Sequence, residues 1–238
     1  MPIGIIVNSL SIFFGGLLGS LLGHKLKESF CNNLTLIFGV CSMSMGVNNI
    51  VKLENLPPVI LSVIIGTIIG QWIHLEEKIA LAAGKLKAPI AKLFHTQNTK
   101  DEEQFINKFI SIVVLFCASG TGIFGALHSG ITGEHTILFT KSILDFFTAI
   151  IFAASLGYIV ITTAFLQFCI SILLFLVSGF IMPLTTSSML ADFSACGGIL
   201  MLAAGFRISG IKNFPIADMI PAMFFVMPFS ALWVVLFH

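Results

Sequence analysis

Apolar residues run through the chain in long uninterrupted blocks, without the strict alternation of a half-buried strand or the narrow stripe of a water-soluble helix. Uncharged stretches cover residues 1–23, 29–51, 55–73, 109–127, 146–191 and 219–237. A helix needs about 20 mainly apolar residues to cross the hydrocarbon core of a bilayer, so the shorter stretches hold one helix each. The stretch over 146–191 is too long for one and divides near Gly157–Thr163. Residues 193–211 add a further span with Arg207 near one end. The pattern predicts eight membrane helices, over 3–23, 31–51, 57–75, 105–127, 141–160, 162–182, 189–210 and 214–236. That is an all-α polytopic bundle. Unbroken runs exclude a closed barrel, whose strands alternate.

Composition closes off the soluble alternative. Charged residues are only 10% of the chain and hydrophobic ones 57%, where a soluble domain carries roughly 25% charged residues. A mean hydropathy of +1.04 agrees. The net charge of +1 and the lack of any basic block mixed with aromatics give no reason to expect nucleic acid. The opening Met1–Val7 has no basic residue ahead of its apolar run and no small-residue cleavage site after it, so it reads as a first span and not a signal peptide. The cysteines Cys31, Cys41, Cys117, Cys169 and Cys196 stand singly in apolar segments. They form neither a metal-ligand spacing nor a disulfide framework, and they read as small buried hydrophobes. No metal or cofactor is implied.

Basic residues set the expected orientation. Lys25, Lys27, Lys78, Lys85, Lys87, Lys92, Lys100, Lys108, Arg207 and Lys212 fall on one side of the eight spans, and only Lys52 and Lys141 on the other. Both termini are then outside and residues 76–104 cytoplasmic. Within 76–104, Ile79, Leu81, Ala82, Leu86, Ile90, Leu93 and Phe94 lie among lysines, the pattern of an interfacial helix on anionic headgroups.

A shift of 159 residues lays Gly39 on Gly198, Gly46 on Gly205, Leu17 on Leu176 and Ser29 on Ser188, and Pro57 meets Pro215 after one deletion. Five helices separate the starts of the two units, so they must have opposite orientations in the membrane. The expected organisation is a three-helix unit over 1–75, the amphipathic loop over 76–104, a central helix pair with a glycine-rich connection over 105–160, and a second, inverted unit over 162–238. Inverted repeats are the architecture of many secondary transporters, with sites near the midplane where the repeats meet.

Polar groups inside these runs are the candidate sites. The segment Gly120–His135 is dense in glycine and polar atoms, and reads as a broken helix or re-entrant loop, or else as a flexible outer loop. Lys141 and Asp145 follow at helical spacing, where they can pair on one helix face. They are a functional pair if they lie within the hydrocarbon, and an interfacial salt bridge if they do not. Glu134 and His135 stand close in sequence as a further acid–imidazole pair. Asn8 and Gln167 are related by the 159-residue shift and are expected to face a central site. Ser11, Asn48, Asn49 and Gln71 read as interhelical hydrogen-bonding groups. Gly15, Gly19 and Gly23 recur every fourth residue, as do Gly66 and Gly70, which makes smooth faces for close helix packing within the chain or across a homo-oligomer. Arg207, Lys212 and Asp218 read as an interfacial cluster.

The chain resembles the YdfK/YqgA group of bacterial inner-membrane proteins, a family defined by a domain of unknown function. The resemblance rests on Asn8 with Gly15-Gly16-Leu17-Leu18-Gly19, on Gly130-Ile131-Thr132-Gly133-Glu134-His135, on Lys141-Ser142-Ile143-Leu144-Asp145 and on Gly210-Ile211-Lys212. Glu134 stands where the group usually has aspartate, and Phe146 where it has glycine. The resemblance covers essentially the whole chain and implies this topology without an activity.

The leading expectation is a secondary transporter or permease for a small solute or ion. Asp145, Lys141, Glu134 and His135 would serve the coupling ion or proton. Asn8, Gln167 and the backbone around Gly120, Gly122 and Gly125 would hold the solute. A passive channel is the nearest alternative, and a membrane scaffold that uses its glycine faces for partners is another. No nucleotide-binding loop, paired-aspartate motif or zinc-hydrolase motif points to an enzyme.

Overall fold

A computed structural model describes residues 1–22, 27–84, 109, 112–113, 115–117 and 119–237. Its helices are α1 (Ile3–Leu22), α2 (Glu28–Ile50), α3 (Leu56–Trp72), α4 (Leu75–Gly84), α5 (Gly120–Thr132), α6 (Thr136–Leu156), α7 (Val160–Ile181), α8 (Ser187–Ile208), α9 (Ile216–Met219) and α10 (Ala222–Phe237). Among the described residues there is no strand. Among the described residues, six segments are long and apolar enough to cross a membrane: Ile3–Leu22, Ser29–Ile50, Thr136–Ala154, Gly157–Phe180, Ser187–Ile208 and Ile216–Phe237. The apolar α3 is slightly shorter. The outer surface is greasy: Ile37, Val40, Ile64, Ile68, Leu173 and Phe180 are exposed, as lipid-facing side chains must be. The protein is a helical membrane bundle.

Two helices differ from expectation. The expected helix over 105–127 is broken. Its described residues up to Cys117 are helical, Ser119 is extended (φ −73°, ψ 133°), and α5 restarts at Gly120 and continues to Thr132. The break is stabilised locally, because the Ser119 hydroxyl accepts from the Gly122 N–H and caps the new helix. The next helix begins at Thr136, not near residue 141. Gly133, at φ 76°, ends α5 in the left-handed conformation that glycine adopts without strain. Only His135 and Glu134 remain to turn the chain, so α6 starts early and carries Lys141 and Asp145 inside it. Gly23 and residues 85–104 of the expected amphipathic loop lie outside the described residues; the part of that loop before them forms most of α4.

Glycine decides which helices approach closely. Gly15 and Gly19 of α1 sit on the carbonyls of Phe146 and Ile150 in α6, where a Cβ would collide with backbone. In α2 and α8, Gly39 lies against Gly205 and Gly46 against Gly198. Midway between these contacts the Ser42 hydroxyl donates to the Met201 carbonyl at 3.0 Å. Gly66 and Gly70 of α3 approach Ala222 and the Asp218 carbonyl in the same way. Where lipid removes the usual hydrophobic drive between helices, contacts this close supply dispersion energy that longer side chains would prevent.

The buried apolar side chains form two cores. One joins Val59 of α3, Phe124 and Leu127 of α5, Phe193 and Leu200 of α8, and Met223 and Val226 of α10. The other joins Ile12 of α1, Phe109, Ile112 and Phe116, Ala149 and Ala153 of α6, and Val160 of α7. The chain crosses from the second core to the first at the Ser119 break.

Candidate functional site

Lys141 and Asp145 lie one turn apart on α6, so their side chains reach the same point on its surface. The Lys141 ammonium donates to Asp145 Oδ2. Asp145 stands at the midpoint of the apolar span Thr136–Ala154, and the two residues are only 3% and 7% exposed. A charge at that depth is costly unless it is paired, and this one is paired twice. Asn8 of α1 donates its Nδ2 to the same Oδ2 at 2.7 Å. Gln167 of α7 in turn donates to Asn8 Oδ1. The result is a buried chain from Lys141 through Asp145 and Asn8 to Gln167, drawn from three helices. Among the described residues, Gln167 Oε1 has no hydrogen-bond partner. The Lys141 ammonium also stands 5.9 Å from the centre of the Phe116 ring, a favourable place for a cation.

Lys141 and Asp145 open onto a cavity of about 370 Å³. Its walls carry the hydroxyls of Thr35 and Ser42 from α2, of Ser119 and Thr121 at the helix break, and of Thr148 from α6. Phe38, Leu144, Ile151 and Phe152 supply apolar surface. A second ion pair, Arg207 with Glu76 at 2.7 Å, also lines the cavity. It locks three elements together. Arg207 on α8 also donates to the Phe214 carbonyl at 3.2 Å, Glu76 Oε2 accepts the Ala217 N–H of α9 at 3.3 Å, and Asp218 Oδ1 accepts the Glu76 N–H of α4 at 2.8 Å. Each carboxylate thus caps the other's short helix. Lys212, expected in the same cluster, is exposed.

The other expected site residues lie elsewhere. Glu134 is exposed in the turn between α5 and α6, and His135 Nδ1 meets the Ser129 hydroxyl at 2.5 Å. Neither lines the cavity. Gly120, Gly122 and Gly125 are inside α5, not in open backbone. Gly122 borders the Lys141 stem and Gly125 the Leu138 side chain, so both serve close packing. Gly15 and Gly19 lie against the α6 backbone. Among the described residues, no three His, Cys, Asp or Glu side chains are grouped to hold a metal.

One buried carboxylate escaped the sequence reading. Asp192, fully buried in α8, accepts from the Glu54 and Asn55 N–H groups at 3.1 and 2.7 Å, from Asn55 Nδ2 at 3.1 Å and from the Ser230 hydroxyl at 2.6 Å. It ties the start of α3 to α8 and α10. Its place between two uncharged runs made it look like a boundary; its distance from any basic residue in sequence was the available signal.

The chain matches the family model described as "Protein of unknown function (DUF554)" over residues 3–231. It belongs to that family. The match spans every element that builds the cavity. Among relatives, the chain is 45% identical over 234 residues to "Uncharacterized protein YqgA" of Escherichia coli (strain K12), with 98% of each chain covered. It is 26% identical over 227 residues to "Uncharacterized membrane protein YdfK" of Bacillus subtilis (strain 168), with 92% of each covered. No solved structure matches.

Proposed function

We propose that this DUF554 protein is a secondary transporter or permease for a small solute or ion. The observation that carries the reading is the buried Lys141–Asp145 pair, which stands at the middle of a span and opens on a cavity between two cores. Keeping opposite charges there costs stability, and intramembrane ionisable groups mark solute and ion paths.

The helix contacts support an inverted repeat beneath this. With the 159-residue offset, Gly39 corresponds to Gly198 and Gly46 to Gly205, yet each glycine touches the other's counterpart. Reciprocal contact of that kind is what a two-fold axis produces. Ser42 with Met201 and Asn8 with Gln167 are each 159 residues apart and bonded to one another, as residues lying on such an axis would be. Under the expected orientation the Glu76–Arg207 end of the cavity faces the cytoplasm and the Lys141–Asp145 end lies at mid-depth. Asp145 is then the coupling group and Lys141 its counter-charge, with Asn8 and Gln167 holding them. Glu134 and His135 stand outside this arrangement.

The test is flux in proteoliposomes that hold a pH-sensitive dye, challenged in turn with small inorganic and organic anions, amino acids and cations. Saturable flux of one class that Asp145→Asn abolishes is the expected result. Non-saturable flux that survives Asp145→Asn would turn the reading to a passive channel. No flux of any compound by the wild-type protein would leave a scaffold.

A further inference from the structure

The two members of the buried ion pair are held very differently, and that difference selects the ligand. Asp145 is fixed. Its Oδ2 accepts from Asn8, which is itself held by Gln167, so groups from α1 and α7 clamp the carboxylate. Lys141 is not fixed. Among the described residues its ammonium has one hydrogen-bond partner, Asp145, and otherwise faces the Phe116 ring. Its flexible stem runs over Gly122, where there is no side chain to confine it. The ammonium is therefore the partner free to turn toward the cavity, while the carboxylate stays behind with a donor still in place.

A cation entering the cavity would have to displace Lys141 from a carboxylate that cannot follow it. An anion needs only to recruit Lys141. It meets the hydroxyls of Ser119 and Thr121 on the same wall, with the positive end of the α5 dipole adding to them. The cost is a buried Asp145 without its counter-charge, and a proton removes that cost. The other ionisable groups in view are few. Cys117 stands on the helical segment before the break, and Glu76 and Arg207, already paired, lie on α4 and α8. Among the described residues, α1 meets Asp145 through the Asn8 amide, and Gln167 of α7 stands behind it, bonded to Asn8.

We infer that the cavity takes a small organic anion together with one proton, the anion on Lys141 and the proton on Asp145. The inference rests on the transport reading for its purpose but not for its test. Charge balances: the ligand brings one negative charge, the Asp145 carboxylate takes up one proton, and Lys141 remains an ammonium that has changed partners. The volume of about 370 Å³ is at the small end of ligand pockets, which run roughly 300–1,000 Å³. Phe38, Leu144 and Phe152 give the ligand's carbon body an apolar seat.

The experiment is equilibrium binding to the purified full chain in detergent, read by calorimetry. It uses benzoate, benzylammonium and benzyl alcohol, three probes of one shape and different charge, with acetate and L-lactate as smaller anions. At least one anion should bind while benzylammonium and benzyl alcohol do not. Calorimetry in buffers of different ionisation enthalpy should count about one proton taken up per anion, and the Kd should tighten by up to about tenfold per unit fall in pH. Lys141→Gln should weaken the anion by at least about tenfold, and Lys141→Arg should retain most of the binding. Asp145→Asn should bind the anion without proton uptake. The wild-type comparison decides the matter even if a variant fails to fold. Binding of benzylammonium in preference to the anions, binding of no anion, or anion binding without proton uptake would each overturn the inference. Anion binding without flux in proteoliposomes would instead sink the transport reading and leave the anion site standing.

Discussion

The strongest test of the site is a double-mutant cycle on Lys141 and Asp145. Lys141→Met keeps the stem over Gly122 but removes the ammonium, leaving a nearly buried carboxylate with Asn8 as its remaining donor among the described residues. Breaking a buried pair from one side costs about 3–5 kcal/mol. Taking up a proton caps that loss at about 4 kcal/mol, the cost of neutralising an ordinary aspartate at pH 7. Asp145→Asn keeps an oxygen for Asn8 but leaves an ammonium facing an amide and the Phe116 ring, at a cost of about 2–3 kcal/mol. The double variant has no buried charge at this point and keeps the Asn8 bond, so it should lie within about 1 kcal/mol of wild type. The coupling energy is then at least about 4 kcal/mol. Unfolding titrations in mixed micelles, followed by far-UV circular dichroism, give all four free energies. Single variants whose losses simply add, with coupling under about 1 kcal/mol, would refute a buried pair, since exposed pairs couple by no more than that.

Two further outcomes follow from the packing. Asp192→Ala leaves the Asn55 N–H and the Ser230 hydroxyl without their acceptor and should cost about 3 kcal/mol in the same titration; Asp192→Asn should recover part of this, and an unchanged transition for Asp192→Ala would contradict the clamp. Gly46→Ala puts a Cβ against the Gly198 carbonyl and should cost about 1–3 kcal/mol, whereas Gly179→Ala, with open space around it on α7, should be neutral or gain up to about 1 kcal/mol; equal effects at the two positions would show that the α2–α8 crossing is not set by glycine contact.

How much of this was legible depended on how local the physics was. The membrane class and most of the spans follow from run length, because a bilayer imposes a minimum apolar length on any helix that crosses it. The Lys141–Asp145 pair was legible from its spacing, since neighbours on a helix face meet whatever the tertiary fold. The depth of the pair was not. Hydropathy treats a lysine and an aspartate as two costs and so moved the helix start to residue 141, whereas the paired charges lie well inside α6. The break at Ser119 is legible only in outline: the glycine-dense run from Gly120 points to a broken helix, but that run is itself helical to Thr132 and the break falls just ahead of it. Arg207 reads as an interfacial charge because it stands near the end of an apolar run, and Asp192 and Glu76, at the edges of such runs, carry no signal of their own. Their pairing is decided by partners more than a hundred residues away, which no local pattern records.

The division into two cores explains why the polar groups gather where they do. Glycine contacts fasten α1 to α6 and α2 to α8, leaving no room for a side chain between the members of either pair. Across the cavity, by contrast, α2 and α6 meet through side chains, as where the Phe38 and Phe147 rings stand 6.4 Å apart. A surface of that kind can slide or part at far lower cost than a glycine-packed crossing can. Lys141 and Asp145 stand on one wall of this looser surface and Ser42 and Arg207 on the other, with the capped break at Ser119 as the point where the chain passes between them. Under the transport reading, α2 and α6 move past one another at this surface, while Gly130 of α5, close against the Phe175 carbonyl of α7, keeps the cores joined elsewhere. The buried charges stand where that motion changes what they face. A scaffold would have no use for charges at that surface, since an apolar seam of the same shape would hold the cores together more cheaply.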